Sequence, residues 1–424
     1  MRALAGVVLV LLHVGLAAEA RAGAPDPADE AEVPAPGPGG NSVLTGDWGG
    51  VRTRAEAGGV KLDLEATLFY QGLVSGTHPH ENEFGGRLDG FIKLDTTKLG
   101  WWDGGGFVTH LEYRSGDLPS RLGGTFFPTN SGMEFPSNSP DELVATSLYF
   151  SQRFGDRTSL MVGKINALDL LENDLYFGGW GIRRSWNSVW VAPPTGLIPP
   201  VFIGAMGSYR TDSGSLSLWI YDPADRTDDY FPGDLFETGV TFYLTPSWNF
   251  ALQGRSTSLS LAGVYTTETG VDYSSIGGDY EEGLQPATKQ GSWNVNVQFM
   301  HMLDVNTANP RQGWGVYVKA AVSDGNPNYV QRSLITGIGG TGLFEGRDLD
   351  SFGLGYFYYD LSDALQDALS PILGPLGDER GAEAYYSYAL TPWCHLTGDL
   401  QYVTPPRNSL EDAFIAGLRL NLRF

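Results

Sequence analysis

The chain has 424 residues, with 27 Lys+Arg against 49 Asp+Glu and a formal net charge of −22. That balance argues against nucleic acid as a partner, because phosphate binding needs a basic stripe. The longest clean apolar run, Ala3–Leu12, falls short of the ~20 residues a membrane helix requires. The single cysteine, Cys394, excludes a disulfide framework and a Cys-based zinc site. What remains is a glycine-rich chain (57 Gly) with 12% aromatic and only 18% charged residues, a composition that points to β structure.

In chain order, the first element is an address. Met1-Arg2, the apolar run and the small-x-small pattern Ala18-Glu19-Ala20 predict a secretory signal peptide over residues 1–20. Residues 21–42, rich in Pro, Gly and acid, cannot bury a core and are expected to form a flexible leader. A periplasmic N-terminal segment, 43–60, and a β-barrel domain, 61–424, make up the rest.

Alternation with period two then recurs along the chain. In 87–97, Leu88, Gly90, Ile92 and Leu94 alternate with Arg87, Asp89, Phe91, Lys93 and Asp95. In 106–114, Phe107, Thr109, Leu111 and Tyr113 alternate with Val108, His110, Glu112 and Arg114. In 293–303, Trp293, Val295, Val297, Phe299, His301 and Leu303 oppose Asn294, Asn296, Gln298, Met300 and Met302. Glu383, Tyr385 and Ser387 oppose Ala384, Tyr386 and Tyr388. The last segment, 413–424, puts Phe414, Ala416, Leu418, Leu420, Leu422 and Phe424 on one face and Ile415, Gly417, Arg419, Asn421 and Arg423 on the other. A soluble sandwich strand alternates too, but over five or six residues. Strands of this length cross a bilayer at a tilt, and a terminal aromatic residue fits the closing strand of an outer-membrane barrel.

The connections alternate as well. Short turns are expected at 100–104, 155–157, 212–214, 245–249 and 391–394, and long polar loops at 76–86, 116–141, 166–199, 223–233, 269–290 and 361–380. Within the last of these, Leu361, Leu365 and Leu369 predict a short helix. The fold expected is all-β: a transmembrane antiparallel barrel of about 16 strands, with short periplasmic turns and long outer loops, in the outer membrane of a Gram-negative-type cell.

Residues 44–54 (LTGDWGGVRTR) resemble the opening of the carbohydrate-selective outer-membrane porins of the OprB type. Further segments are similar in the same order: Gly86–Asp89 with Lys93–Asp95, His110–Arg114, Gly163–Asp169, Ala382–Tyr386, Leu390–Trp393, Asp399–Val403 and Gly417–Arg419. The resemblance implies a sixteen-strand barrel passing monosaccharides and related small solutes by diffusion. It also implies an eyelet of inward arginines and a glutamate, which carries over to Arg87, Glu112 and Arg114. One departure is Arg184-Ser185-Trp186-Asn187, where the family's Phe-Met-Asn is expected.

A sugar offers hydroxyls at its edges and C–H groups on its faces, so recognition calls for charged hydrogen-bonding groups beside an aromatic ring. Arg87, Asp89 and Lys93 fall on the inner face of one predicted strand, and His110, Glu112 and Arg114 on that of the next. The 166–199 loop adds Trp180, Arg183, Arg184 and Trp186. Folded inward it would supply rings and guanidinium groups; folded outward its tryptophans would join the interfacial belt. Millimolar binding is only about 4 kcal/mol, and flux needs weak sequential contacts. A ladder of Asn294, Asn296, Gln298, Tyr317, Lys319, Tyr385, Asp399 and Gln401 is therefore expected in place of one tight pocket.

The partners expected are small sugars and outer-membrane lipid, with a homo-oligomer of barrels left open. No catalytic constellation, metal cluster or cofactor motif is visible. A lipase-type barrel would need Ser and His together at a lipid-facing rim, and His110, His301 and His395 have no matching serine in the pattern. The alternative on the same scaffold is a less selective or ion-conducting porin.

Overall fold

The computed structural model describes residues 42–77, 82–116, 121–135, 140–171, 174–177, 179, 181–191, 197–276, 285–305 and 313–424. The expected signal peptide and the leader up to residue 41 lie outside these residues. So do Trp180, His78 and His80.

Sixteen strands run in sequence order. The first eight are β1 (Val60–Ser75), β2 (Asn82–Asp95), β3 (Gly105–Gly116), β4 (Leu143–Phe154), β5 (Thr158–Asn166), β6 (Val201–Thr211), β7 (Gly214–Tyr221) and β8 (Thr241–Leu252). The rest are β9 (Arg255–Val271), β10 (Thr288–Val305), β11 (Gly313–Ser323), β12 (Val330–Thr341), β13 (Ser351–Leu361), β14 (Glu379–Thr391), β15 (Cys394–Thr404) and β16 (Ala413–Arg423). Each pairs antiparallel with its neighbours, and β1 pairs with β16 from Glu65↔Arg423 to Ser75↔Phe414, closing the barrel. Closure leaves no sheet edge, which is what lets strands cross hydrocarbon.

The alternation read from the sequence matches the two faces. Leu62, Leu88, Ile92, Leu218, Val295 and Leu418 are exposed on the outside, while Glu65, Arg87, Asp89, Glu112, Asn294 and Arg419 are buried inside. Exposed aromatics gather near both ends of the outer wall: Trp101, Trp102, Phe154 and Trp248 at the end holding the chain terminus, and Tyr70, Phe84, Tyr265 and Tyr402 at the other. Such girdles sit at membrane interfaces.

Connections at the terminus end are short, and most of those at the opposite end are long. The helix expected around 361–369 is present as Asp363–Leu373, its first turn capped by the Ser362 hydroxyl. Four expectations need correction. The 76–86 loop ends early because β2 starts at Asn82, and the 223–233 connection runs on to Val240 before β8 begins. Residues 245–249 are not a turn, because β8 runs through them. Pro246 has no N–H to donate, and the β8–β9 ladder breaks between Leu244↔Gly263 and Ser247↔Ser260 to accommodate it. The turn lies instead at Gln253–Gly254, both at positive φ (52° and 75°), the geometry of a two-residue hairpin. The 269–290 loop is shorter than expected, since Thr269 and Gln290 are themselves paired in the β9–β10 ladder.

At the terminus end, Trp48–Gly50 and the helix Val51–Ala57 close against the last strand. Leu44 N–H donates to Arg423 O (2.8 Å), and Arg52 Nη2 donates to the Phe424 carbonyl (2.6 Å) while stacking over Trp48.

Candidate functional site: a lumen narrowed by two loops

Segments of two long connections, 121–135 and 174–191 as far as described, fold into the barrel. Trp186 is 0% exposed and packs edge-on against Phe69 of β1, with ring centroids 5.4 Å apart. The backbone N–H groups of Trp186 and Asn187 donate to the Glu383 carboxylate on β14 (2.5 and 3.1 Å), and Asn187 Nδ2 donates to Gln401 Oε1 on β15 (3.1 Å). Arg419 of β16 donates to the carbonyls of Gly181 and Arg184 and lies over the Trp186 ring at 5.3 Å. A polar side chain in the wall thus satisfies loop backbone that no sheet can pair, a requirement for non-helical chain at membrane depth.

The two loops also brace each other. Ser131 N–H donates to Trp186 O (2.7 Å), and Ser188 N–H donates to Pro128 O (2.9 Å). Gly181, at φ 75°, lies so close to this contact that a Cβ would come within 2.3 Å of Ser131 Oγ. Along the wall, Gly417 and Gly355 leave room for the Trp186 and Trp190 rings.

The predicted charged cluster is brought together, though beneath the loops. Arg87 is 2% exposed; its Nε donates to Asp89, Nη2 to Asp89 and to Glu112 Oε2 (2.6 Å), and Nη1 to the carbonyls of Gly132 (2.8 Å) and Phe135 (3.1 Å). Glu112 Oε1 accepts from Thr146 Oγ1 (2.7 Å) and Asn166 Nδ2 (2.8 Å). His110 stacks on Phe91, with Nε2 3.1 Å from Asp89 and Nδ1 2.9 Å from Asp169. Arg114 Nη1 donates to Met133 O (2.5 Å). These side chains share a wall, as the alternation indicates, but Arg87 and Arg114 bond to carbonyls of the 121–135 segment where water was expected. The reason is multivalency: five guanidinium donors suit loop carbonyls and two carboxylates at once.

Asp89, His110 and Glu112 have ligand atoms within 4.8 Å of one another. Their atoms are already engaged, and the Arg87 guanidinium between the carboxylates supplies the positive charge a metal ion would bring. Lys93, lower on β2, is half-buried with Nζ 5.4 Å from the Phe91 ring. Arg183 and Arg184, on the inward loop, are half-buried: Arg183 pairs through Nε and Nη2 with Glu65 of β1, and Arg184 Nε donates to Asp174 O (3.1 Å). Of the expected ladder, Asn294, Asn296, Tyr317, Tyr385, Asp399 and Gln401 are buried, whereas Gln298 and Lys319 are half-buried.

The opposite wall differs. On the inner faces of β5–β10, Met161, Met206, Ser217, Trp219, Tyr243 and Ser247 are all half-buried. Phe202, Trp219 and Tyr243 stand side by side on successive strands, with stacked centroids 6.1 and 4.7 Å apart. Loop residues Ala167, Leu170 and Ile198 pack at the long-loop end of this wall, against Ile165, Phe202 and Tyr221, and the half-buried side chains nearer the terminus end make up a neutral aromatic and hydroxyl surface. The sequence pattern gave no sign of it as a site, because Trp219 and Tyr243 look like ordinary strand aromatics.

A model of the carbohydrate-selective porin family, OprB, matches residues 85–424. The chain belongs to the OprB family of carbohydrate-selective porins. It is 21% identical to the porin QuiX of Acinetobacter baylyi over 90% of this chain and 93% of that one. With Porin B of Pseudomonas aeruginosa it is 25% identical over 38% of each chain. Its fold matches the high-pH structure of Pseudomonas putida OprB at a TM-score of 0.78, with 19% identity, covering 91% of this chain and 99% of that one. Salmonella typhi OmpF, complexed with daunomycin, matches at a TM-score of 0.52, with 10% identity, covering 87% of this chain and 99% of that one. Family and fold together indicate an outer-membrane channel rather than an enzyme.

Proposed function

We propose that this OprB-family porin lets mono- and small oligosaccharides diffuse passively through its lumen, selected at the level where the 174–191 segment crosses the barrel. The observation that carries the reading is that segment, pinned at Glu383, Gln401 and Arg419 on one side and packed through Phe177 and Tyr176 against Tyr317 on β11 on the other. A sixteen-strand barrel is wide enough for an aqueous channel, and a loop spanning it sets the cutoff.

The Arg/Glu constriction takes a two-layer form in this reading. Arg183 with Glu65, together with Arg184, meets solute. Arg87, Asp89, His110, Glu112 and Arg114 form the frame that holds the 121–135 segment in place. Sugar hydroxyls exchange between these groups and the Ser217, Ser247 and Gln298 side, each contact weak enough to release. Liposome swelling with sugars of graded size tests it. The proposal expects fast swelling with monosaccharides, a fall through the small oligosaccharides, and slower entry of uncharged non-sugar solutes of equal size. Rates that depend on size alone would defeat carbohydrate selectivity.

A further inference from the structure

Among the inward cations described above, Lys319 is different. Arg87, Arg183 and Arg419 each spend their donors on carboxylates or carbonyls. Lys319 lies on β11 in register with Gln298 of β10 and Ile335 of β12, facing the lumen. It is half-buried, its Nζ 5.6 Å from the face of Phe177 on the inward loop. Among the described residues no carboxylate comes within 4.0 Å of it and no acceptor takes a hydrogen bond from it; the carboxylate whose charge reaches it from farther off is Asp174. The loop segment beside it bears Asp174, but Asp174 Oδ1 already accepts the N–H groups of Tyr176 and Phe177 (both 2.8 Å), and Arg184 is bound to its backbone carbonyl. This stretch of the lumen therefore sets two cations, Lys319 and Arg184, against the single carboxylate of Asp174, one oxygen of which is already taken by backbone N–H groups.

We infer that Lys319 is a specificity-determining residue, and that the solutes this channel favours are sugar acids, polyhydroxylated small molecules bearing one carboxylate. The inference deepens the carbohydrate reading above and rests on it. An ammonium held against an aromatic face in a narrow lumen has lost part of its hydration and gained only that ring and the longer-range charge of Asp174, so an anionic group on a passing solute can restore what it lacks. The half-buried Gln298, its cross-strand neighbour on β10, leaves a hydrogen-bonding group for the hydroxyls of the same molecule. Lysine fits transit better than a guanidinium here: a point charge with rotatable donors attracts a carboxylate without the bidentate grip that would trap it.

The test is block of single-channel ion current by gluconate and by glucose, using the full mature chain in a planar bilayer. Half-block by gluconate is expected at about a tenfold lower concentration than by glucose. Lys319→Gln should erase that gap by raising the gluconate value about tenfold, with the glucose value moving less than about twofold. Lys319→Arg should keep the preference. Heat-modifiable gel mobility of each variant reports that the barrel is intact. Gluconate block that equals glucose block in the parent, or that survives Lys319→Gln, overturns the role of Lys319 while leaving the sugar channel standing. A parent channel that neither solute blocks, and that gives no swelling with glucose, overturns the carbohydrate reading itself.

Discussion

Glu383→Ala should unlock the inward loop. The Glu383 side chain is 2% exposed, and its two oxygens accept the N–H groups of Trp186 and Asn187. Alanine removes both acceptors and leaves two buried donors facing apolar surface, at about 1–3 kcal/mol each. The remaining anchors include the Ser131 N–H on Trp186 O, the Ser188 N–H on Pro128 O, Asn187 Nδ2 on Gln401, Arg419 on the carbonyls of Gly181 and Arg184, and the Tyr359 hydroxyl on Val189 O. If about 3 kcal/mol of the loss falls on the docked loop, its equilibrium with displaced states moves more than 100-fold. Single-channel recordings should then show a larger mean conductance with stepwise noise, in a barrel that still runs as a heat-modifiable band. Glu383→Gln keeps one acceptor oxygen and should fall between. A Glu383→Ala channel with parental conductance and parental sugar block would refute the claim that this carboxylate holds the loop.

Three further outcomes follow from the same contacts. Gly417→Val places a Cβ 2.6 Å from the Trp186 ring and 2.9 Å from the Tyr70 carbonyl, so the ring must leave its slot; swelling should speed up for oligosaccharides more than for monosaccharides. Arg87→Ala strands two buried carboxylates, Asp89 and Glu112, a loss of about 3–5 kcal/mol; calorimetry in detergent should show an earlier unfolding transition, whereas exposed Arg157→Ala should leave it unchanged. At the long-loop rim, burial pushes the Asp222 carboxyl up, but the N–H groups of Phe236 and Ala224 and the Arg226 guanidinium outweigh it and hold the group below the ordinary aspartate range. A depressed carboxyl stabilises the 222–240 loop above the unfolded value of about 3.9 and loses that contribution as pH falls through the folded value. Hydrogen exchange at Ala224 and Phe236, corrected for intrinsic rates, should accelerate below that range, and Arg226→Ala should show the same acceleration at neutral pH.

The wall of this barrel was legible in the sequence because hydrocarbon outside and water inside impose opposite demands on alternate residues. Leu88 and Arg87, or Leu418 and Arg419, report their faces by composition alone. Pro246 misled for a local reason: proline usually marks a turn, and only the pairing on both sides shows a ladder break that tolerates it. The lumen was harder to read. Arg87, Glu112 and Arg114 lie on one inner surface, yet the two arginines are bound by the 121–135 segment, and the inward loops are anchored far away in sequence, as with Trp186 and Glu383. Periodicity carries no information about such contacts. Nor does it separate an inward cation already engaged by carbonyls, such as Arg419, from one that is not, such as Lys319.

The central claim is that the loops screen one side of the lumen and leave the β5–β10 side open to solute. Single cysteines in a Cys394→Ser background test it directly: Ser217→Cys and Ser247→Cys on the open wall, Thr67→Cys and Ser387→Cys on the screened one. A charged thiol reagent added to the reconstituted channel should cut the current through the first pair promptly and leave the second pair unmodified until the protein is unfolded. Equal labelling of both pairs, or faster labelling at Thr67 and Ser387, would contradict the account.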